Sequence, residues 1–150
     1  MPIPRYGRRL LWSEKGRRGE RGQATVAQRL APRLPVDEAV KWYRFAAAQG
    51  LAEAQYSLGV IYERGRGAAQ NSTEAVKWYR LAAAQGFAAA QYNLGMMLYD
   101  GIGVSKDFAE AARLFLLAAT QGHANARFEL EHFPVALNQG DSQVLSLRRV

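Results

Sequence analysis

The chain has 150 residues, enough for one domain and too few for two independent ones, with 49% apolar and 22% charged residues. It has no cysteine, which excludes disulfides, a thiolate nucleophile and a zinc thiolate site, and its two histidines, His123 and His132, carry no metal-ligand spacing. The formal charge of +7 sits in residues 1–35, where nine Lys/Arg meet only Glu14 and Glu20; residues 36–150 hold eleven basic and eleven acidic side chains, so the basicity does not point to nucleic-acid binding by the folded body.

Residues 1–22 read as a basic, disordered leader, because Gly16, Gly19, Gly22 and two glutamates interrupt any amphipathic helix. Arg8-Arg9 is followed only by Leu10-Leu11-Trp12, far short of a signal peptide's apolar region, and no run approaches the ~18–20 apolar residues of a membrane span. The expectation is a soluble, cytoplasmic protein. Residues 23–136 form the expected folded domain. Within it, residues 38–73 align without gaps on residues 74–109 with 20 of 36 positions identical, and a third copy starts at Glu110 and degrades after Leu130.

Each 36-residue period predicts two helices. In the first, Ala39, Trp42, Tyr43 and Ala46 recur at i, i+3, i+4 and i+7, one face of a helix over 37–49, with Asp37 and Glu38 at its positive end. Gly50 ends it, and Gly86 and Gly122 repeat that stop. The second helix, 53–64, places Ala54, Leu58, Ile61 and Tyr62 on one face; its mid-helix Gly59, like Gly95 in the next copy, costs roughly 1 kcal/mol against Ala and so predicts close approach of a neighbour. Gly65-x-Gly67 and Gly101-x-Gly103 open loops, and Asn71-x-x-Glu74 and Asp107-x-x-Glu110 read as capping boxes for helices at 73–85 and 108–121. Further helices are predicted at 89–100 and 125–132, with Pro134 stopping the last and residues 137–150 forming a tail or cap.

Catalytic patterns are missing. The Gly-x-Gly pairs follow helices and lack a Gly-Lys-Ser/Thr ending, and neither Ser-x-x-Lys nor Gly-x-Ser-x-Gly occurs. Trp42, Trp78, Tyr43, Tyr79, Tyr56 and Tyr92 recur at helical spacing and read as core. The sequon Asn71-Ser72-Thr73 reads as a helix cap.

The phrases Ala54-Gln55-Tyr56-x-Leu58-Gly59-x-x-Tyr62, Gly65-x-Gly67 and Glu74-Ala75-x-x-Trp78-Tyr79-x-x-Ala82-Ala83-x-Gln85-Gly86 resemble the Sel-one-like repeat, a longer relative of the tetratricopeptide repeat. The resemblance implies an all-α fold, an α/α superhelix: a short solenoid of antiparallel helical hairpins with two full repeats and flanking half-repeats. In the family's register the full units run from about 52 to 86 and from 88 to 122, so each hairpin opens with the helix at 53–64 or its copy at 89–100; the resemblance implies a noncatalytic scaffold or adaptor that holds a peptide or protein in a concave groove lined by this first helix of each hairpin. The groove candidates are Glu53, Tyr56, Val60, Glu63 and Arg64 in one copy and Tyr92, Met96, Tyr99 and Asp100 in the next. No cofactor, metal or catalytic residue is expected. Two alternatives stand beside this reading: a β-lactamase or penicillin-binding activity, as described for relatives stapled by paired cysteines that this chain lacks, and nucleic-acid or membrane-surface binding through residues 1–22, where arginines mix with Tyr6, Leu10, Leu11 and Trp12.

Overall fold

The computed structural model describes residues 33–133; the leader 1–22 and the tail 137–150 lie outside them. The described residues are all-α, with helices α1 (Val36–Ala48), α2 (Ala52–Arg64), α3 (Ser72–Ala84), α4 (Ala88–Asp100), α5 (Phe108–Thr120) and α6 (Ala124–Glu131). Every end falls within one residue of the sequence expectation, and the shift has a cause at each glycine stop. Gln49 is the last half-helical residue, so the helix closes before it. Gly50, Gly86 and Gly122 then take φ of +87°, +85° and +90°. At the middle turn Gly86 N–H donates to the Ala83 carbonyl at 2.9 Å and Phe87 N–H to the Ala82 carbonyl at 3.1 Å, the paired bonds of a Schellman stop.

The expected capping boxes form only in part. Asn71 Oδ1 accepts from Glu74 N–H at 3.1 Å and Asp107 Oδ1 from Glu110 N–H at 2.9 Å. The reciprocal half is replaced by backbone bonds: Asn71 N–H donates to the Tyr62 carbonyl at 2.8 Å and Asp107 N–H to the Leu98 carbonyl at 3.0 Å. That frees both glutamates, so Glu74 binds Lys77 at 2.7 Å and Glu110 binds Arg80 at 2.7 Å.

The residues divide into two compact units, one ending at Trp78 and the other beginning at Tyr79. In the first, Trp42, Ala46, Ala47, Ala54 and Leu58 are buried together, with Leu34, Tyr43, Phe45, Ile61, Tyr62 and Trp78 around them. Gln55 Nε2 donates to the Ala47 carbonyl at 3.3 Å, and Arg44 donates to the Tyr62 hydroxyl at 3.1 Å. The indole N–H groups of Trp42 and Trp78 are buried without an acceptor. The third copy places Leu114 at this position and so removes the donor.

In the second unit the close approach predicted at Gly95 is met by Phe115. A Cβ on Gly95 would lie 2.6 Å from Phe115 Cε1, inside any tolerable contact. Tyr79, Leu94, Leu98, Phe115 and Phe133 are buried around this crossing. Gln91 bridges it, donating to the Ala83 carbonyl at 3.3 Å and accepting from Gln121 Nε2 at 2.8 Å.

Two substitutions test this packing. Trp42→Ala removes a fully buried indole and is expected to cost about 3–5 kcal/mol in urea unfolding. Gly95→Ala gains about 1 kcal/mol of helix propensity but forces an overlap that costs ~1–3 kcal/mol. Its unfolding midpoint is therefore expected to fall, and Phe115→Leu in the same chain to recover part of the loss. A raised midpoint for Gly95→Ala alone would show α4 and α5 free to separate.

Candidate partner-binding site

On α4, the positions 92, 96 and 99 lie four and three residues apart and share one flank. The structure draws its two rings into the packing of the following helices. Tyr92 stacks on His123 at 4.7 Å and 27° and meets Phe115 at 5.9 Å. Tyr99 sits edge-on to Phe108 at 5.3 Å and to Phe133 at 5.6 Å. Met96, between them, is partly exposed, and Asp100 is exposed at the helix end. In the first unit, Glu53 and Arg64 of α2 are exposed, while Tyr56, Val60 and Glu63 are half-buried. The backbone there is tied by side chains: Ser57 Oγ donates to the Glu53 carbonyl at 2.8 Å and Gln70 Nε2 to the Glu63 carbonyl at 2.9 Å.

Three residues beside this surface were not singled out from the sequence. Asn93 donates to the Tyr79 hydroxyl at 3.1 Å, which pins its amide on the open side of α4. Glu129 of α6 acts on Tyr92: burial first, and then the negative charge of Glu129, raise the Tyr92 phenol above its ordinary value. His123 caps α6, its Nδ1 accepting from Ala126 N–H at 3.3 Å. The 36-residue register relates all three to other copies, because Ser57, Asn93 and Glu129 occupy one column and His123 stands where Leu51 and Phe87 precede the other helices.

The repeat geometry is matched by a known family. The Sel1 repeat matches residues 36–51, 52–87 and 88–123, more than half of the chain. The chain belongs to the Sel1 repeat family. Among solved structures, a Sel1 repeat protein from Oxalobacter formigenes is 38% identical with a TM-score of 0.72, over 75% of this chain and 90% of that one. c5321, a protective antigen present in uropathogenic Escherichia coli strains and displaying an SLR fold, is 29% identical with a TM-score of 0.77; the match covers 92% of this chain but 30% of that one. The cysteine-rich protein B of Helicobacter pylori is similar in fold, with a TM-score of 0.63 at 20% identity over 70% of this chain and 87% of that one. No curated protein matches this chain.

The Sel1 matches and these neighbours place the chain among helical-repeat solenoids, a fold that generally serves as a protein-interaction scaffold. Among the described residues no helix is long and apolar enough to cross a membrane, and no group of three or more His, Asp or Glu converges to hold a metal.

The Tyr92 shift has a measurable consequence. Folding favours the neutral phenol, so its stabilising contribution is complete below the ordinary tyrosine value of about 10 and is lost as pH rises through the higher folded value. Glu129→Gln removes the second cause and leaves the burial. In alkaline spectrophotometric titration the highest-titrating phenols should include one that moves down in Glu129→Gln; an unchanged curve would place Glu129 away from Tyr92.

Proposed function

We propose that this Sel1 repeat protein is a noncatalytic adaptor that holds a peptide or protein partner in a groove lined by the first helix of each hairpin. The proposed contact residues are Glu53, Tyr56, Val60, Glu63 and Arg64 on α2 of the first unit and Tyr92, Met96, Tyr99 and Asp100 on α4 of the second. The observation that carries the reading is a contrast between columns of the repeat. Core columns are the same in all three copies, Ala54, Ala90, Ala126 and Leu58, Leu94, Leu130, whereas the open columns differ in every copy: Glu53, Ala89, Asn125; Val60, Met96, His132. The core columns meet the same packing demand three times, and the open columns are released from it.

Within this surface the residues divide the work. Tyr92 and Tyr99 are held by Phe115 and Phe108 of α5 and by His123 and Phe133 on either side of α6, so they form a fixed apolar border. Met96 is the adaptable contact, with a flexible thioether suited to irregular partner surfaces. Glu53, Arg64 and Asp100 supply charge at the exposed edges.

The experiment is affinity capture of the full chain with mass spectrometry of the bound proteins, followed by titration of the recovered partner. Met96→Glu is expected to weaken binding by about 1–4 kcal/mol, roughly five- to a thousandfold, with an unchanged circular dichroism spectrum. Lys77→Ala and Arg80→Ala, on α3, should have little effect on binding. Equal binding by Met96→Glu and the parent would sink the assignment, and loss confined to the α3 variants would move the interface to that helix. Turnover of a chromogenic β-lactam by the pure chain would favour the hydrolase alternative instead.

A further inference from the structure

Helix α6 stands in the register of α2 and α4, but the column that joins one repeat to the next has changed in it. In α4 that column holds Gln91, Tyr92 and Gly95. Gln91 accepts from Gln121, Tyr92 lies against Phe115 and His123, and Gly95 leaves no room for a Cβ beneath the Phe115 ring. The same positions in α6 are Arg127, Phe128 and Glu131. All three are exposed, Phe128 by 57% although its ring lies against that of His132 at 4.1 Å, and among the described residues neither Arg127 nor Glu131 forms an ion pair. A further repeat would have to bring an aromatic ring to where Glu131 now carries a full side chain. The joint is therefore closed to another repeat, yet it keeps an apolar ring.

We propose that this face of α6 pairs with α6 of a second copy, the two helices running antiparallel about a two-fold axis. Charge complementarity carries the choice of occupant. Arg127 and Glu131 lie four residues apart on one face and bracket Phe128. When a second copy of that face is reversed, Arg127 meets Glu131 of the other copy twice over, and the two Phe128 rings meet near the axis. A parallel arrangement would set Arg127 against Arg127 and Glu131 against Glu131. Such a contact is isologous and closes on itself, whereas end-on stacking of repeats would be head-to-tail and open-ended; Glu131 blocks only the second. Residues 36–150 carry equal numbers of acidic and basic side chains, so the bodies themselves add no net repulsion to that of the +7 in residues 1–35. A helix of 8 residues buries less than the roughly 800 Å² per partner of a standard interface, which makes the dimer weak and concentration-dependent. This pairing uses a surface separate from the adaptor face of α2 and α4 and does not rest on it.

The test is sedimentation of the full chain over roughly a hundredfold range of concentration at low and moderate salt. The expected result is a reversible monomer–dimer equilibrium. Phe128→Ser, Arg127→Glu and Glu131→Arg should each weaken it about tenfold or more, with circular dichroism unchanged because all three side chains are exposed. The double variant Arg127→Glu/Glu131→Arg should return to within about threefold of the parent, since the swapped charges still face each other. A parent chain that stays monomeric throughout overturns the proposal, as it would if the ring were covered by another segment of this chain or by a different protein. A dimer indifferent to Phe128→Ser, or a double variant no better than the single ones, overturns it equally.

Discussion

Between α3 and α4 the chain has a single residue, Phe87, that belongs to both helix ends. Its N–H closes the Schellman stop of α3 on the Ala82 carbonyl, and its own carbonyl accepts from Gln91 N–H at 3.0 Å to start α4. Gly86 makes this possible by taking φ of +85°, which a residue with a Cβ adopts only under strain. The angular relation of the two helices is then set by the backbone with no slack. One inserted residue would rotate α4 by about 100° about its axis and carry Leu94 and Leu98 off the core. The same turn recurs at Gly50 and Gly122, so helix phase is re-established at each copy by local hydrogen bonds and not by long-range packing.

The other connection, from α4 to α5, is longer and is governed differently. Gly101 ends α4 and the chain returns at Asp107, whose N–H goes back to the Leu98 carbonyl. That bond ties the start of α5 to the last turn of α4, and Phe115, two turns further on, arrives over Gly95. The tight turn thus fixes rotation, the long loop fixes separation, and Gly95 sets how close the helices come. Because Asp107 N–H is satisfied by backbone, Glu110 is released to bind Arg80, so a cap that is locally incomplete yields a contact between α3 and α5.

The features legible in the sequence were those that repeat. The period, the six helices, the glycine stops and the capping side chains all follow from chemistry acting within a few residues, and each appears at least twice in register. What was not legible depends on the neighbour. Helical spacing marks Trp42-Tyr43 and Trp78-Tyr79 as core-facing, but the fully buried member is Trp42 in the first pair and Tyr79 in the second, with the other half-buried. A hydrophobic face defines a direction and not the shape of what fills it. Tyr92 and Tyr99 show the same limit. Their flank on α4 is visible from spacing, while their engagement with Phe115, His123, Phe108 and Phe133 requires knowing where α5 and α6 lie. His123 escaped as a cap because a histidine beside a helix start carries a weaker signal than Asn71 or Asp107.

The proposed adaptor surface is consistent with how this packing divides α4. On α4, one flank is tied to α3 through Asn93, the other meets Phe115 and Phe108 of α5 and His123 and Phe133 on either side of α6 through Tyr92, Gly95 and Tyr99, and Gln91 joins Ala83 to Gln121 from the buried side. Only a narrow strip, Ala89, Met96 and Asp100, has no such duty. A strip held on both sides by packed helices loses little further freedom when a partner settles on it, because the conformational entropy of its backbone and border rings has already been lost in folding. Binding energy can then come from few side chains. The open columns can therefore change in every copy without disturbing the fold, because each residue there is anchored by a helix whose position is set elsewhere.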